Sequence, residues 1–349
     1  MKLTLKLTTN KKKAQERTTD NHRSDRLFLS ISILYSLAWP LHPMALSFLS
    51  PISLYASYLR LCFTSSGLSR HAIDIDNDTT IHFWSQNPDN QTSTHKPSLV
   101  FIHGFGPAAL WQWRRQVQFF SSHFNLYVPD LIFFGESTTK SSARSEIFQA
   151  DSVSKLLQKL GVEKYSVVGT SYGGFVAYHV ARMWPERVEK VVIASSGVNM
   201  RKSDNEELIR KSKLDSIGDL MLPKEASHLR ALIGLAVFRL SRLHMIPDFF
   251  LKDFISKLYA ENRSEKLELL KGLTLGRDET VNISPLQQDV LLVWGEHDSI
   301  FPLDMAIELK GLIGKNVKLE SIKDASHVPQ IERPNKFNYI LNSFLCGSS

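Results

Sequence analysis

The chain is poor in cysteine. Cys62 and Cys346 are the two among 349 residues, too few for a disulfide framework, and they lean toward a reducing, intracellular compartment. The patterns that hold metals or nucleotide phosphates are also missing: there is no H-E-x-x-H, no paired C-x-x-C and no G-x-x-x-x-G-K-[ST]. Neither a metal nor another cofactor is therefore expected. The net charge of +7 hints at nucleic acid, but residues 1–26 hold eight Lys/Arg against three Asp/Glu, which leaves +2 for all the rest. The body is close to neutral and no nucleic-acid signature accompanies the basic tail, so no nucleic acid is expected as partner.

Charge disappears between Arg26 and Arg60, where Pro40, Pro43 and Pro51 interrupt an apolar run. The longest uninterrupted piece, Leu27–Trp39, has 13 residues, too short to cross about 30 Å of hydrocarbon as a helix. Three readings of residues 1–70 follow: a targeting segment with a basic n-region and an apolar h-region; an anchor on a membrane surface, with Met44–Phe63 on a loose helical spacing; or an upstream extension with Met44 as an alternative start. Asn77, Asn90, Asn262 and Asn282 begin glycosylation patterns, which matter only on the secretory route.

What is present is ample apolar material, 43% hydrophobic and 10% aromatic, organised around Tyr165-Ser-Val-Val-Gly-Thr-Ser-Tyr-Gly-Gly-Phe175. This reads as a strand, a sharp turn and a helix from Phe175 to Trp184. In such a turn the serine hydroxyl is lifted clear of the sheet, and side chains two residues either side would collide; glycine at 169 and 173 removes the collision. Ser171 is thus a candidate nucleophile.

Upstream, His71–Trp84 alternates polar and apolar residues about Asp76-Asn-Asp78, a hairpin signal. Gln86–Pro97 is a polar loop, and Ser98–Ile102 a buried strand running into His103-Gly-Phe-Gly-Pro107. That loop has two readings. Gly104-Phe-Gly-Pro-Ala-Ala109, with Asp130 about 20 residues on, fits a dinucleotide-binding fingerprint. Against it, His103 directly precedes the loop, and Trp111-Gln-Trp113 begins a bulky helix where a pyrophosphate needs room. The alternative is an oxyanion loop, with the backbone N–H groups of Phe105 and Tyr172 aimed at one spot above Ser171. Asp130 is then expected to shape the loop Leu131–Ser137, and His103 to pack the oxyanion loop.

Asn125–Asp130 reads as the next strand, Ser152–Leu160 as a helix capped by Asp151 and stopped by Gly161, and Arg187–Ala194 as a further strand. Strands alternating with helices imply a parallel sheet with the active site at its carboxyl edge. From Asn199 to Pro285 the alternation stops. Helices are expected at Asp204–Ser216, Ala226–Leu243, Pro247–Tyr259 and Arg263–Leu273, as an inserted cap whose Leu232–Phe238, Met245, Ile246, Phe249 and Phe250 line an apolar pocket or hold the cap together. The sheet resumes at Asp289–Trp294 and ends at Val317–Ile322. Asp298 follows the first of these strands and His327 the second, completing the order Ser, Asp, His. The histidine can take the serine proton and the carboxylate can fix its tautomer. Asp324, three residues from His327, is expected to stabilise its turn instead, and His297 to point away from Asp298.

Over roughly residues 70–345 the chain resembles the α/β-hydrolase superfamily. The match rests on His103-Gly-Phe-Gly, Gly169-Thr-Ser-Tyr-Gly-Gly, Gly295-Glu-His-Asp298 and Ser326-His327, in that order. It is most similar to plant proteins akin to monoacylglycerol lipases, some labelled epoxide hydrolases. The epoxide enzymes carry aspartate at the elbow, where this chain has Ser171. The resemblance implies an α/β-hydrolase fold, a mostly parallel sheet flanked by helices, with Ser171 as nucleophile, His327 as base, Asp298 as orienter, and Phe105 and Tyr172 as oxyanion donors.

The expected organisation is an extension at 1–70, core at 71–198, cap at 199–285 and core again at 286–349. The expected function is a serine hydrolase of carboxylic esters, monoacylglycerols or related lipid esters among them, with a membrane surface as candidate partner. The same fold also serves small-molecule receptors with slow residual hydrolysis, and an acyltransferase or C–C bond hydrolase needs the same three residues.

Overall fold

A computed structural model describes residues 50–86, 96–238 and 243–347. Residues 1–49 with Met44, most of the polar loop with Asn90, and the end of the expected helix at 239–242 lie outside the described residues. The chain divides into a unit of residues 1–55 and a unit of residues 56–349. Helix α1 (Pro51–Ser65) spans that division. Within the larger unit it buries Leu59, Cys62 and Phe63, with Phe63 edge-on to Trp84 at 5.2 Å. No helix among the described residues is long and apolar enough to cross a membrane.

The expected hairpin is β1 (Leu68–Asp74) and β2 (Thr79–Gln86), joined by a turn in which the Asp78 N–H donates to Asp76 Oδ1 at 3.0 Å. There follow β3 (Ser98–Ile102), α2 (Ala109–Gln112), α3 (Arg114–Phe120), β4 (Asn125–Pro129), β5 (Thr138–Thr139), α4 (Glu146–Lys159), β6 (Tyr165–Thr170), α5 (Tyr172–Met183) and β7 (Val188–Ala194). A helical stretch comes next: α6 (Lys202–Ser212), α7 (Ile217–Met221), α8 (Ala226–Ala236), a 3-10 turn at Leu243–Met245, α9 (Asp248–Leu258) and α10 (Arg263–Lys271). The chain closes with β8 (Asp289–Gly295), α11 (Leu303–Leu312), β9 (Val317–Ile322), α12 (Pro329–Glu332) and α13 (Pro334–Cys346).

The strands form one sheet in the order β1-β2-β4-β3-β6-β7-β8-β9, with β5 beside β2. The β1–β2, β2–β4 and β2–β5 pairs are antiparallel; β4, β3, β6, β7, β8 and β9 pair in parallel in that order. The central parallel strands β3, β4, β6 and β8 are buried on both faces, whereas β9 at the edge is largely exposed; this is why Leu99–Ile102 and Val167–Val168 read as unbroken apolar runs. From β3 the next strand in sequence lies on one side and β6 on the other. This reversal sets the loops after β3 and β6 together at the carboxyl edge of the sheet, where a ligand crevice forms.

Several helix boundaries differ from expectation, and the helix expected over Ala226–Leu243 already ends at Ala236, where Val237 turns extended. The helix assigned to Ser152–Leu160 starts six residues earlier, because Ser145 Oγ accepts from the Phe148 N–H at 3.2 Å and caps it. Asp151 sits inside that helix, paired with Lys155 at 2.8 Å. The helix expected over Asp204–Ser216 runs from Lys202 and stops at Ser212, because Lys213 takes a left-handed φ of 57°; a second helix, α7, begins only at Ile217, capped by Ser216 through the Asp219 N–H at 3.1 Å.

Candidate active site

Ser171 sits between the end of β6 and the start of α5 at φ 52° and ψ −124°. That is a conformation a side chain accepts only when its surroundings impose it. The surroundings do so through three hydrogen bonds and missing side chains. The Ser171 N–H donates to the Ala194 carbonyl at 2.9 Å, and the Ser171 carbonyl accepts from the Gly174 N–H at 2.8 Å and Ser196 Oγ at 2.6 Å. A Cβ on Gly169 would overlap the Gly173 carbonyl, and one on Gly173 would overlap the Ile102 carbonyl, both of them rigid backbone. The helix therefore begins at Tyr172, three residues before the expected Phe175.

His327 and Asp298 converge on this serine from the loops after β9 and β8. The Ser171 hydroxyl lies 2.9 Å from His327 Nε2, and His327 Nδ1 lies 3.0 Å from Asp298 Oδ2. The other carboxylate oxygen, Asp298 Oδ1, accepts from the N–H groups of Ile300 and Phe301, each at 2.9 Å. Ser171, Asp298 and His327 are 8%, 6% and 6% exposed, so the hydrogen-bonded chain operates out of bulk water. In the tautomer that carries its proton on Nδ1, the ring donates to the carboxylate and leaves Nε2 to accept from the serine hydroxyl, an arrangement suited to removing a proton from the serine as it attacks.

Asp324 is not part of this chain. It takes φ 54°, its carbonyl accepts from Arg333 Nε at 3.1 Å and its carboxylate lies 3.8 Å from Arg333 Nη2, so it stabilises the turn. His297 stacks on Phe238 at 4.2 Å and 11°.

The loop after β3 is held from inside. The Gly104 N–H donates to Gln112 Oε1 at 2.8 Å, and Gln112 Nε2 returns to the carbonyls of Gly104 and Pro107. His103 is fully buried and its ring spans two loops: Nδ1 donates to the Gly104 carbonyl at 2.8 Å, and Nε2 accepts from the Leu131 N–H at 3.0 Å. Burial pushes its pKa down to about 4, so it is a neutral spacer. A Cβ on Gly104 would lie 3.0 Å from the Ser171 Cβ, which places this loop directly against the serine. Phe105 follows, its ring edge-on to Tyr172 at 5.5 Å. The Tyr172 N–H belongs to the first residue of α5, where helix geometry supplies no partner.

The dinucleotide reading of this loop fails on two points. Asp130 is buried, and its Oδ1 accepts from the Ala109 N–H at 2.9 Å, where a ribose hydroxyl would be expected. Trp113 is wholly buried behind the loop against Phe101. Burial raises the Asp130 pKa to about 7.

Two carboxylates found no signal in the sequence. Glu332 is buried enough that its pKa rises to about 7. Its Oε1 accepts from the Phe238 N–H and its Oε2 from the Ser326 N–H, both at 2.7 Å. Ser326 Oγ reaches the Leu235 carbonyl at 3.1 Å, and the His327 N–H the Ala236 carbonyl at 3.1 Å. The end of α8 is thus fastened to the loop that carries His327. Glu146, fully buried, fastens the far end of the helical segment by accepting from the Thr274 N–H and hydroxyl. Each is a lone acid inside an ordinary helix pattern, and a partner it binds, Phe238 for Glu332 and Thr274 for Glu146, lies 94 or 128 residues away.

The residues expected to line an apolar pocket divide. Leu232, Leu235 and Ala236 pack toward the core that holds Tyr172 and Phe175. Ile233, Ile246 and Phe250 pack instead within the helical segment. Met245 and Phe249 are exposed. No group of three or more metal-ligating side chains occurs among the described residues.

The strand order, the elbow and the placement of the three side chains define a class, and the family comparison agrees with it. The chain belongs to the alpha/beta hydrolase fold family, whose model matches residues 97–334. Relatives span several chemistries. The chain is 25% identical, over 78% of its length and 94% of the relative, to a 2-hydroxy-6-oxononadienedioate/2-hydroxy-6-oxononatrienedioate hydrolase of Pseudomonas putida. It is 26% identical, over 72% of its length and 76% of the relative, to the monoacylglycerol lipase ABHD6 of Homo sapiens. Among solved structures, a bacterial membrane phospholipase A superposes with a TM-score of 0.70 at 22% identity, covering 93% of this chain and 98% of that one.

Proposed function

We propose that the protein is a serine hydrolase that cleaves carboxylic esters through an acyl-enzyme. The observation that carries this reading is the buried chain Ser171 Oγ, His327 Nε2, His327 Nδ1, Asp298 Oδ2, with both links at hydrogen-bond length. Ser171 Oγ attacks the ester carbonyl while its proton passes to His327 Nε2. Asp298 holds the imidazole in the correct tautomer and stabilises the imidazolium. The backbone N–H groups of Phe105 and Tyr172 receive the negative oxygen of the tetrahedral intermediate, each donor worth on the order of 10²–10³ in rate. His327 then protonates the leaving alcohol, and in the second half takes a proton from water that releases the acid.

In this reading residues 71–198 and 286–349 are the core and 199–285 the cap, with 1–70 an extension. Lipid esters, monoacylglycerols among them, are supported by the apolar side chains that α8 turns toward the site and by the human relative. Tyr58 and Leu61, exposed on α1, support a membrane surface as partner.

One observation favours a second reading, a small-molecule receptor of the same fold. The serine is 8% exposed and the end of α8 is bonded to the His327 loop, as suits a site that closes over a ligand and keeps it.

Turnover separates the two. The wild type is incubated with a panel of monoacylglycerols and short-chain esters, and acid release is followed beside Ser171→Ala. Steady multiple turnover, lost in the variant, supports the hydrolase. Tight binding with one turnover or none, together with a ligand-dependent change in cap proteolysis, would move the assignment to the receptor.

A further inference from the structure

Strand β9 ends the sheet on one side, and its outer backbone is unpaired. The Val290 N–H donates to the Asn316 carbonyl and the Glu296 N–H to the Ile322 carbonyl. Successive residues of a strand turn their backbone groups to opposite sides, so Asn316, Lys318, Glu320 and Ile322 face β8. Val317, Leu319 and Ser321 therefore present N–H and C=O outward, where no group among the described residues bonds to them. Such an edge is a template for another strand, and folded proteins commonly blunt it with proline or a bulge. β9 has neither: it has no proline and pairs with β8 over Val317–Ile322 without a register shift.

The side chains select the partner. Val317 and Leu319 pack against the main core, while Lys318 and Glu320, on the opposite face, are exposed. At the other edge of the sheet the charges are already engaged: Arg70 pairs with Glu136 at 2.8 Å, and Lys159 Nζ donates to the Asp74 carbonyl at 2.7 Å. An antiparallel copy of β9 can bond only where outward residues meet outward residues. A two-fold axis at Lys318 sets two ammonium groups opposite each other, and an axis at Glu320 sets two carboxylates opposite each other. An axis at Leu319 instead sets Lys318 of each copy against Glu320 of the other, and in that register every outward N–H and C=O of β9 finds a partner.

We propose that two copies of this chain pair antiparallel through β9 about a two-fold axis at Leu319, joining their sheets into one. Leu319 exchanges both backbone bonds with its counterpart, and Val317 does so with Ser321 of the second copy. Lys318 and Glu320 fall in the pairs between, where strands bring side chains closest, about 4.5 Å between Cα atoms. The contact is self-complementary, as a two-fold dimer requires. The helices that pack against β9, α11 and α13, expose Ile307, Leu312 and Tyr339, apolar surface of the kind a subunit contact covers.

The test is sedimentation velocity of the full chain over a concentration series, for wild type, Lys318→Glu, Glu320→Lys, an equal mixture of those two variants, and Ser321→Pro. The wild type is expected to be dimeric at about 10 μM. Each charge variant alone sets like charges opposite in both pairs and raises the dimer dissociation constant about tenfold or more. Mixed together, the two variants regain both pairs, and a heterodimer forms with close to wild-type affinity. Ser321→Pro removes an outward N–H and leaves the bonds to β8 in place, so it weakens the dimer while the melting curve stays cooperative. A wild type that is monomeric at about 100 μM overturns the proposal. A dimer that both charge variants keep at wild-type strength lies elsewhere on the molecule and also overturns it, as does a mixture that recovers nothing. If a charge variant does not fold, Ser321→Pro decides, and an undiminished dimer in that variant is contrary to pairing through β9.

Discussion

Asp298 and His327 lie on separate loops, 29 residues apart, and meet through one carboxylate oxygen at 3.0 Å from the ring Nδ1. The other oxygen is already committed to the N–H groups of Ile300 and Phe301. In Asp298→Asn the amide oxygen must stay with those two donors, which turns the NH₂ toward His327 Nδ1. The imidazole then has to carry its proton on Nε2, facing Ser171, where it can no longer accept. The expected result is a loss of about 10³–10⁴ in kcat with the thermal midpoint nearly unchanged. Esterase kinetics beside a melting curve check this.

The elbow glycines are predicted to differ from a glycine outside the site. A Cβ on Gly173 would meet the carbonyls of Ile102 and His103, which are backbone and cannot yield. Gly173→Ala should cost about 3 kcal/mol or more and leave little soluble protein. Gly161 takes φ 70° but has open space around a Cβ, so Gly161→Ala should cost about 1 kcal/mol. Denaturant unfolding of the two variants gives the comparison.

His103 contributes an acid sensitivity with a definite sign. Its folded pKa, about 4, lies below the ordinary 6.5. Above pH 6.5 it is neutral folded and unfolded, and nothing is lost. As pH falls from 6.5 toward 4 the unfolded chain takes up the proton first, so stability drops by up to roughly 1.4 kcal/mol per pH unit. The raised carboxyls of Asp130 and Glu332 act in the opposite direction over pH 4 to 7. Comparison with His103→Gln isolates the histidine: the variant is expected to lose less stability than wild type between pH 6.5 and 4.5, measured by urea midpoints.

Glu332 fastens α8 to the loop of His327 through two N–H groups. A glutamine offers one acceptor and sets its NH₂ against the other donor, so Glu332→Gln should break one of the two fastenings. Amide exchange is expected to rise at 235–238 or at 326–327, with kcat lowered about tenfold or more if His327 moves with its loop. Unchanged exchange at both segments would remove the fastening role.

The parts of the site legible in the sequence were those written by local chemistry. Gly169 and Gly173 announce a turn that no other residue fits, the apolar runs Leu99–Ile102 and Leu291–Val293 announce buried parallel strands, and Asp298 follows one of these, while His327 follows the alternating edge strand Val317–Ile322. What stayed hidden depends on distant partners. Ser145 does not stand out as a cap because Asp151 offers an equally good local signal. The break at Lys213 uses a left-handed residue that the sequence does not mark with glycine. The bonds of Glu332 to Phe238 and of Glu146 to Thr274 join segments about a hundred residues apart, which no periodicity within one helix records.

The most direct test of the account is the site of covalent capture. Wild-type protein is treated with a fluorophosphonate, digested, and the adduct located by mass spectrometry, beside Ser171→Ala and His327→Ala. The account predicts a single adduct on Ser171, absent in Ser171→Ala and formed far more slowly in His327→Ala. An adduct on another serine, or labelling of Ser171→Ala at the wild-type rate, would contradict it.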